Sequence, residues 1–169
     1  NLPDLWTGLR DGSIDIVATD HAPHTREEKE LGWTDGWKAH TGTPSVQFYL
    51  SLLLTAAREG RISLERVVEA TSAAPARIFG IQGKGSLKPG ADADLVVVDP
   101  QLEYDIRDED VLSLIGWTPY AGRKVIGAPV RTLVRGRTVF LDGKVVGEKG
   151  WGQQAVAQYP GYASVRRAA

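Results

Sequence analysis

Asp20, His21 and His24 place one carboxylate and two imidazoles inside the short stretch Thr19-Asp20-His21-Ala22-Pro23-His24. A carboxylate can ligate a hard or borderline cation. An imidazole can also ligate, or can hydrogen-bond an anionic substrate when suitably protonated. The plainer reading of the same residues is that Asp20 caps the following turn and the histidines are surface groups. With no Cys among the 169 residues, thiolate ligands and disulfides are excluded, so any metal must rely on His and carboxylate.

The elements that must position these groups can be read on either side of them. Residues 14–18 (IDIVA) follow Asp11-Gly12 as a short, mostly apolar, β-branched run, which predicts a strand buried on both faces, as in parallel sheets. Polarity begins where that run ends, and in α/β barrels active sites form at the C-terminal ends of strands. Residues 21–42 carry Pro23, glycines and a charge run, which predicts a long loop. The charge run at residues 26–30 reads as a solvated face or the first turn of a short helix, with no chemistry assigned to it.

Val46, Leu50, Leu53, Leu54 and Ala57 recur at helical spacing between Pro44 and Gly60, predicting a helix over residues 44–58. Ser63 opens a second helix, and residues 74–79 form a third, closed by Gly80. Beyond it the texture changes. Residues 93–99 (ADLVVVD) predict another buried strand, followed by strands at 130–134 and 138–141. An Asp142-Gly143 turn then leads into 144–146, so that a small β module is expected. From Glu148 the chain reads as an extended tail. Trp117, Tyr120 and Phe140 read as packing residues, because aromatics bury large area without needing a ligand.

Lys and Arg number 20 against 21 Asp and Glu, a net charge of −1, so no field favours nucleic acid or an anionic membrane surface. No run approaches the roughly 18 apolar residues of a membrane span, and the reading is a soluble, cytoplasmic protein. At 42% hydrophobic the chain can bury the core of one domain or form a piece of a larger one. It opens on Asn1 rather than Met, with residues 2–9 patterned as the amphipathic helix that precedes a buried strand. Those features predict a fragment.

The stretch TDHAPHTREEKE at residues 19–30, with LWTGLRDGSIDIVA ahead of it, resembles the dihydroorotase signature at the last barrel strand of the amidohydrolase superfamily. GKGSLKPGADADLVVVD at residues 83–99 is similar to the segment by which those enzymes enter their C-terminal β-sandwich. The resemblance covers residue 5 to about residue 147. It implies an α/β fold: the C-terminal end of a (β/α)8 TIM-type barrel followed by part of a small β-sandwich. Residues 1–80 would supply the last strand, loop and helices of the barrel, 81–147 the sandwich portion and 148–169 the tail.

The resemblance further implies that Asp20 is both catalytic and a metal ligand. It would take the proton from the attacking hydroxide and return it to the leaving nitrogen. His24 matches the histidine that contacts the substrate carboxylate, with loop capping as its alternative. Gly42, in His40-Thr41-Gly42-Thr43-Pro44, matches a loop whose backbone groups hydrogen-bond the substrate ring, with a simple turn as its alternative. His21 is expected to shape the loop. The implied cofactor is Zn2+ in a binuclear centre. Its other ligands are a His-x-His pair, a carboxylated lysine and two further histidines. This chain has three histidines and no His-x-His, so those ligands are expected upstream of Asn1 and the isolated chain is expected to be inactive.

The implied reaction interconverts dihydroorotate and N-carbamoyl-aspartate, in pyrimidine biosynthesis. A hydantoinase- or allantoinase-type enzyme is the alternative: the loop is longer than in typical dihydroorotases, carries Trp33 and Trp37, and lacks their Pro-Phe-Gly-Ile stretch. Thr118-Pro119-Tyr120 with Gly122 resembles a stretch of allantoinases and hydantoinases, or is a packed turn. Two non-enzymatic readings stay open. One is a dihydroorotase-like structural partner of a transcarbamoylase; the other is a β-rich binding module carrying a barrel remnant with apolar faces at Ile14, Ile16, Val17 and residues 50–54. The expected partners are a small cyclic amide, further copies of the chain in a homo-oligomer, and a transcarbamoylase.

Overall fold

Asp4 in the first turn and Arg10 in the last complement the dipole of helix α1 (Leu2–Asp11), which buries Leu9. The computed structural model describes residues 2–157. The chain divides into two compact units. One is formed by the leading residues to Val17, Glu59–Asp99 and the described chain from Pro129 onward. The other is formed by Ala18–Arg58 and Pro100–Ala128.

In the first unit the end of α1 is held by Arg66. Its guanidinium donates to the carbonyl of Leu9 at 2.7 Å, an acceptor that a helix end otherwise leaves open, and to those of Ile14 and Asp15 in the segment that follows, at 2.5 and 3.1 Å. Residues 15–18 form no strand, contrary to the expectation from IDIVA, and Ile14, Ile16 and Val17 are half-buried rather than buried. A strand exists through its ladder with a neighbour. Here the Val17 N–H instead donates to the carbonyl of Ala70, at 3.1 Å.

That carbonyl belongs to a continuous helical run. Ser63 caps it, its hydroxyl accepting from the Arg66 N–H at 3.1 Å. Helix α4 (Leu64–Val68) then passes through a π-helical turn (Glu69–Ala73) into α5 (Ala74–Ile78). Pro75, without an N–H, cannot continue the α-helical ladder behind it, and the π turn absorbs the break. Val67, Ala70 and Ala74 line the buried face at spacings of three and four.

Four strands make one sheet in the order β1-β2-β3-β4: β1 (Leu95–Asp105), β2 (Lys124–Val134), β3 (Arg137–Leu141) and β4 (Lys144–Val145). β3 pairs antiparallel with both β2 and β4. The two-residue loops Arg135-Gly136 and Asp142-Gly143 have positive φ throughout, the mirror-image turn that matches strand twist. Both long strands exceed the expected 93–99 and 130–134. β1 is half-exposed where a buried strand was expected: none of its residues is buried, and Val96 and Val97 are both exposed. Lys84 reaches Asp92 at 2.9 Å and also pairs with Asp94. The other Asp94 oxygen accepts the Arg135 N–H at 2.7 Å, fastening the β2–β3 turn. Past Glu148, residues 151–156 follow no regular structure and Ala157 bridges to Ile81. The rest of the expected tail, 158–169, lies outside the described residues.

In the second unit Phe48, Ile106 and Val125 form the core, with Leu52, Tyr104, Val111 and Tyr120 packed on it. Helix α3 (Tyr49–Arg58) starts five residues later than Pro44. It buries Leu53 and Leu54, so residues 50–54 do not present the bare apolar face foreseen for a remnant. Its Thr55 hydroxyl accepts the Ile126 N–H at 2.9 Å and donates to the Ser51 carbonyl at 2.7 Å. Buried Ser51 accepts from the Tyr104 hydroxyl at 3.0 Å. No described helix is long and apolar enough to cross a membrane.

Candidate active site

Asp20 has φ of +44°, a left-handed conformation that costs most residues energy and that Asp tolerates better than most. Among the described residues its exposed carboxylate has no hydrogen-bond or ion-pair partner. The backbone around it is fixed by other groups. His21 Nδ1 accepts the N–H groups of Ser45 and Val46 at 3.0 and 3.2 Å, which leaves the ring proton on Nε2. The buried Ser45 hydroxyl donates to the Thr19 carbonyl at 3.0 Å, and the Ala22 N–H donates to the Thr43 carbonyl at 3.2 Å. His21 and Thr43 form a parallel bridge. Residues 19–22 and 43–46 are thus sewn together beside an uncommitted carboxylate.

Gly42 stands where that seam begins. Its φ is +100°, and a Cβ there would fall 2.4 Å from Ala22 Cβ. Its carbonyl accepts from Lys29 Nζ at 3.0 Å, as does the carbonyl of His40 at 2.6 Å. Lys29 therefore ties the loop of residues 40–42 to the helix that follows His24.

That helix, α2 (Arg26–Glu30), starts with a reciprocal cap. The Thr25 hydroxyl accepts the Glu28 N–H at 3.2 Å and the Glu28 carboxylate accepts the Thr25 N–H at 2.9 Å. The cap turns Glu28 back toward His24, whose Nδ1 is 3.3 Å from the same carboxylate oxygen. The Thr25 N–H, and after it His24 and His40, hold the Glu28 carboxyl below its ordinary range. His24 and His40 have ring centroids 4.9 Å apart. The His24 carbonyl accepts from Trp117 Nε1 at 2.8 Å. Arg26 lies over the Trp117 ring and pairs with Asp108 at 2.5 Å, while Asp108 accepts the Thr118 N–H at 2.9 Å. Buried Thr118 donates its hydroxyl to the Pro44 carbonyl at 3.2 Å, so Thr118-Pro119-Tyr120 serves as a packed turn here. Trp33 and Trp37 are 89% and 99% exposed and take no part in this packing.

Residues 1–146 match the model of the amidohydrolase family. The chain belongs to that family. This amidohydrolase chain is 50% identical over 143 residues to a dihydroorotase of Halobacterium salinarum, a match covering 84% of the chain and 32% of the relative. It is 42% identical over 151 residues to an L-hydantoinase of Paenarthrobacter aurescens, covering 88% and 33%. Among solved structures it resembles the L-hydantoinase (dihydropyrimidinase) from Arthrobacter aurescens, with TM-score 0.83, 42% identity and coverage of 88% and 34%. The dihydropyrimidinase from Brevibacillus agri gives 0.86 at 31% identity, covering 95% and 36%. The amidohydrolase chain thus spans about a third of the length of the relatives it matches.

Amidohydrolase family members are typically metal-dependent, and the donor chemistry of Asp20 fits such a group: an exposed carboxylate with no partner among the described residues. The structure places His24 and Gly42 on the two loops that Lys29 joins. Asp20 is not part of the cluster that His24 makes with Glu28 and His40. Glu28 and Lys29, within a charge run to which no chemistry was assigned, and His40, expected only as a loop residue, belong to the arrangement around His24. The Thr25-x-x-Glu28 box and the four-residue spacing of His24 and Glu28 were visible signals for the first. His40 and Lys29 come into play only through the fold of the loop.

Proposed function

We propose that a protein carrying this stretch at the length of its relatives hydrolyses a cyclic amide, with dihydroorotate, opened to N-carbamoyl-aspartate, as the substrate. The observation that carries the reading is Asp20: a carboxylate with no partner among the described residues, in a left-handed conformation beside a loop fastened through His21 and Ser45. The choice of ring rests on the 50% identity with a dihydroorotase. In this reading residues 1–80 form the end of a (β/α)8 barrel and 81–147 part of a β-sandwich. The likeness to hydantoinase and dihydropyrimidinase structures supports the barrel as well as the alternative ring, a hydantoin.

A bound metal, zinc in this reading, would supply an acidified water and a polarised carbonyl, which a poor electrophile such as a ring amide requires. Asp20 would be one of its ligands. Asp20 then accepts the proton released as the water oxygen bonds to the ring carbonyl carbon. It delivers that proton to the ring nitrogen as the C–N bond breaks, so that it ends as the carboxylate it began as. His24 presents an imidazole to the substrate carboxylate. Gly42 lies on the loop whose backbone groups this reading turns toward the ring, with its own carbonyl held by Lys29. The test is turnover of dihydroorotate and of hydantoin by the metal-loaded protein, side by side with Asp20→Asn.

A further inference from the structure

We propose that His24, Glu28 and His40 form a second binding site, for a borderline divalent cation of the zinc class, separate from Asp20. Their ligand atoms all lie within 4.8 Å of one another. Tetrahedral zinc with bonds of about 2.0–2.1 Å spaces its donors about 3.3 Å apart. The required closure is therefore at most about 1.5 Å, within reach of side-chain rotation at the exposed His40. Two imidazoles and one carboxylate match the preferences of zinc, cobalt or nickel and leave too few oxygens for calcium or magnesium.

Each of the three donors has a hydrogen bond that holds it or its backbone in place. The Trp117 indole holds the His24 carbonyl. The reciprocal cap with Thr25 aims the Glu28 carboxylate. Lys29 anchors the His40 carbonyl, bringing a loop residue twelve positions beyond Glu28 to the same place. Preorganisation of this kind reduces the ordering that metal binding must otherwise supply. A cation here would displace the contact between His24 and Glu28 and occupy the imidazole that the proposed reaction directs at substrate. An excess of free metal would then inhibit. That last consequence rests on the proposed function; the site itself does not.

The experiment is a cobalt(II) titration of the metal-stripped 169-residue chain, followed by visible ligand-field bands, for the native sequence and for Glu28→Gln, His40→Asn and Asp20→Asn, with melting temperature recorded for each. The expected result is one equivalent bound with tetrahedral-type absorption, at least tenfold weaker binding in both Glu28→Gln and His40→Asn, and no change in Asp20→Asn. Glu28 and His40 lie outside the buried core, so these variants should melt close to the native chain. Native-strength binding in both variants, or loss of binding only in Asp20→Asn, overturns the proposal. Failure of the native chain to bind cobalt at millimolar concentration overturns it as well. Loss of hydrolysis by Asp20→Asn in the protein at the length of its relatives, with cobalt binding by the 169-residue Asp20→Asn chain intact, separates this site from the proposed catalytic centre.

Discussion

A Cβ on Gly42 would lie 2.4 Å from Ala22 Cβ, closer than folded proteins tolerate, and 3.0 Å from the Ala22 carbonyl oxygen. With φ at +100°, the position also rejects side chains on backbone grounds. Gly42→Ala should therefore destabilise the chain by about 1–3 kcal/mol in urea unfolding, combining overpacking and left-handed strain. It should also weaken substrate binding in the proposed enzyme, because the loops carrying His24 and Gly42 can no longer close.

His21 is the acceptor for two backbone N–H groups that have no other use. His21→Leu leaves both without a protein acceptor and should cost about 1–3 kcal/mol, read from the same unfolding curves.

Asp20 separates stability from chemistry. Asn tolerates the left-handed region and the carboxylate has no described partner, so Asp20→Asn should melt within a degree or two of the native protein. Asp20→Ala should lose about 1 kcal/mol from backbone strain alone. In the proposed reaction both should lower kcat/KM by about 10²–10⁴-fold.

Lys84, Asp92 and Asp94 set a pH dependence in the first unit. Burial pushes the Asp94 carboxyl up, but the Lys84 hydrogen bond and the Arg135 N–H outweigh it, and the group lies below its ordinary 3.8. Asp94, then Asp92, raise Lys84 above its ordinary 10.5. A depressed carboxyl adds stability that is present above its ordinary value and is lost as pH falls through the folded one. The raised Lys84 adds stability that is present below 10.5 and lost as pH rises through its folded value. Both contributions are therefore in place at neutral pH. Asp94→Asn should flatten the acid limb of a stability-against-pH curve and cost about 1–2 kcal/mol at pH 7, chiefly from the two hydrogen bonds.

Short-range signals in the sequence were readable where one segment decides its own shape. Ser63 caps α4 as its neighbours require, Gly80 follows the end of α5, and Asp142-Gly143 makes the two-residue turn that its types demand. The errors fall where a partner distant in sequence decides. Residues 14–18 have strand composition, but no described neighbour offers them a ladder. Helix α3 begins at Tyr49 rather than Pro44: the Pro44 carbonyl accepts from Thr118, and the Phe48 N–H that a helix starting at Pro44 would send to it goes to the Ser45 carbonyl instead. In the site, the Thr25–Glu28 cap was local and legible. The approach of His40 to His24 was not, since it depends on Lys29 bridging eleven and thirteen residues to two carbonyls.

The central claim is that Asp20 serves a metal-dependent opening of a cyclic amide. Ring opening of dihydroorotate by the zinc-loaded protein at the length of its relatives, native against Asp20→Asn, tests it most directly. The account predicts turnover by the native protein, faster than with hydantoin, and a loss of about a hundredfold or more in the variant at unchanged melting temperature. Turnover undiminished in Asp20→Asn, or a folded, zinc-loaded native protein that opens neither ring, would contradict it.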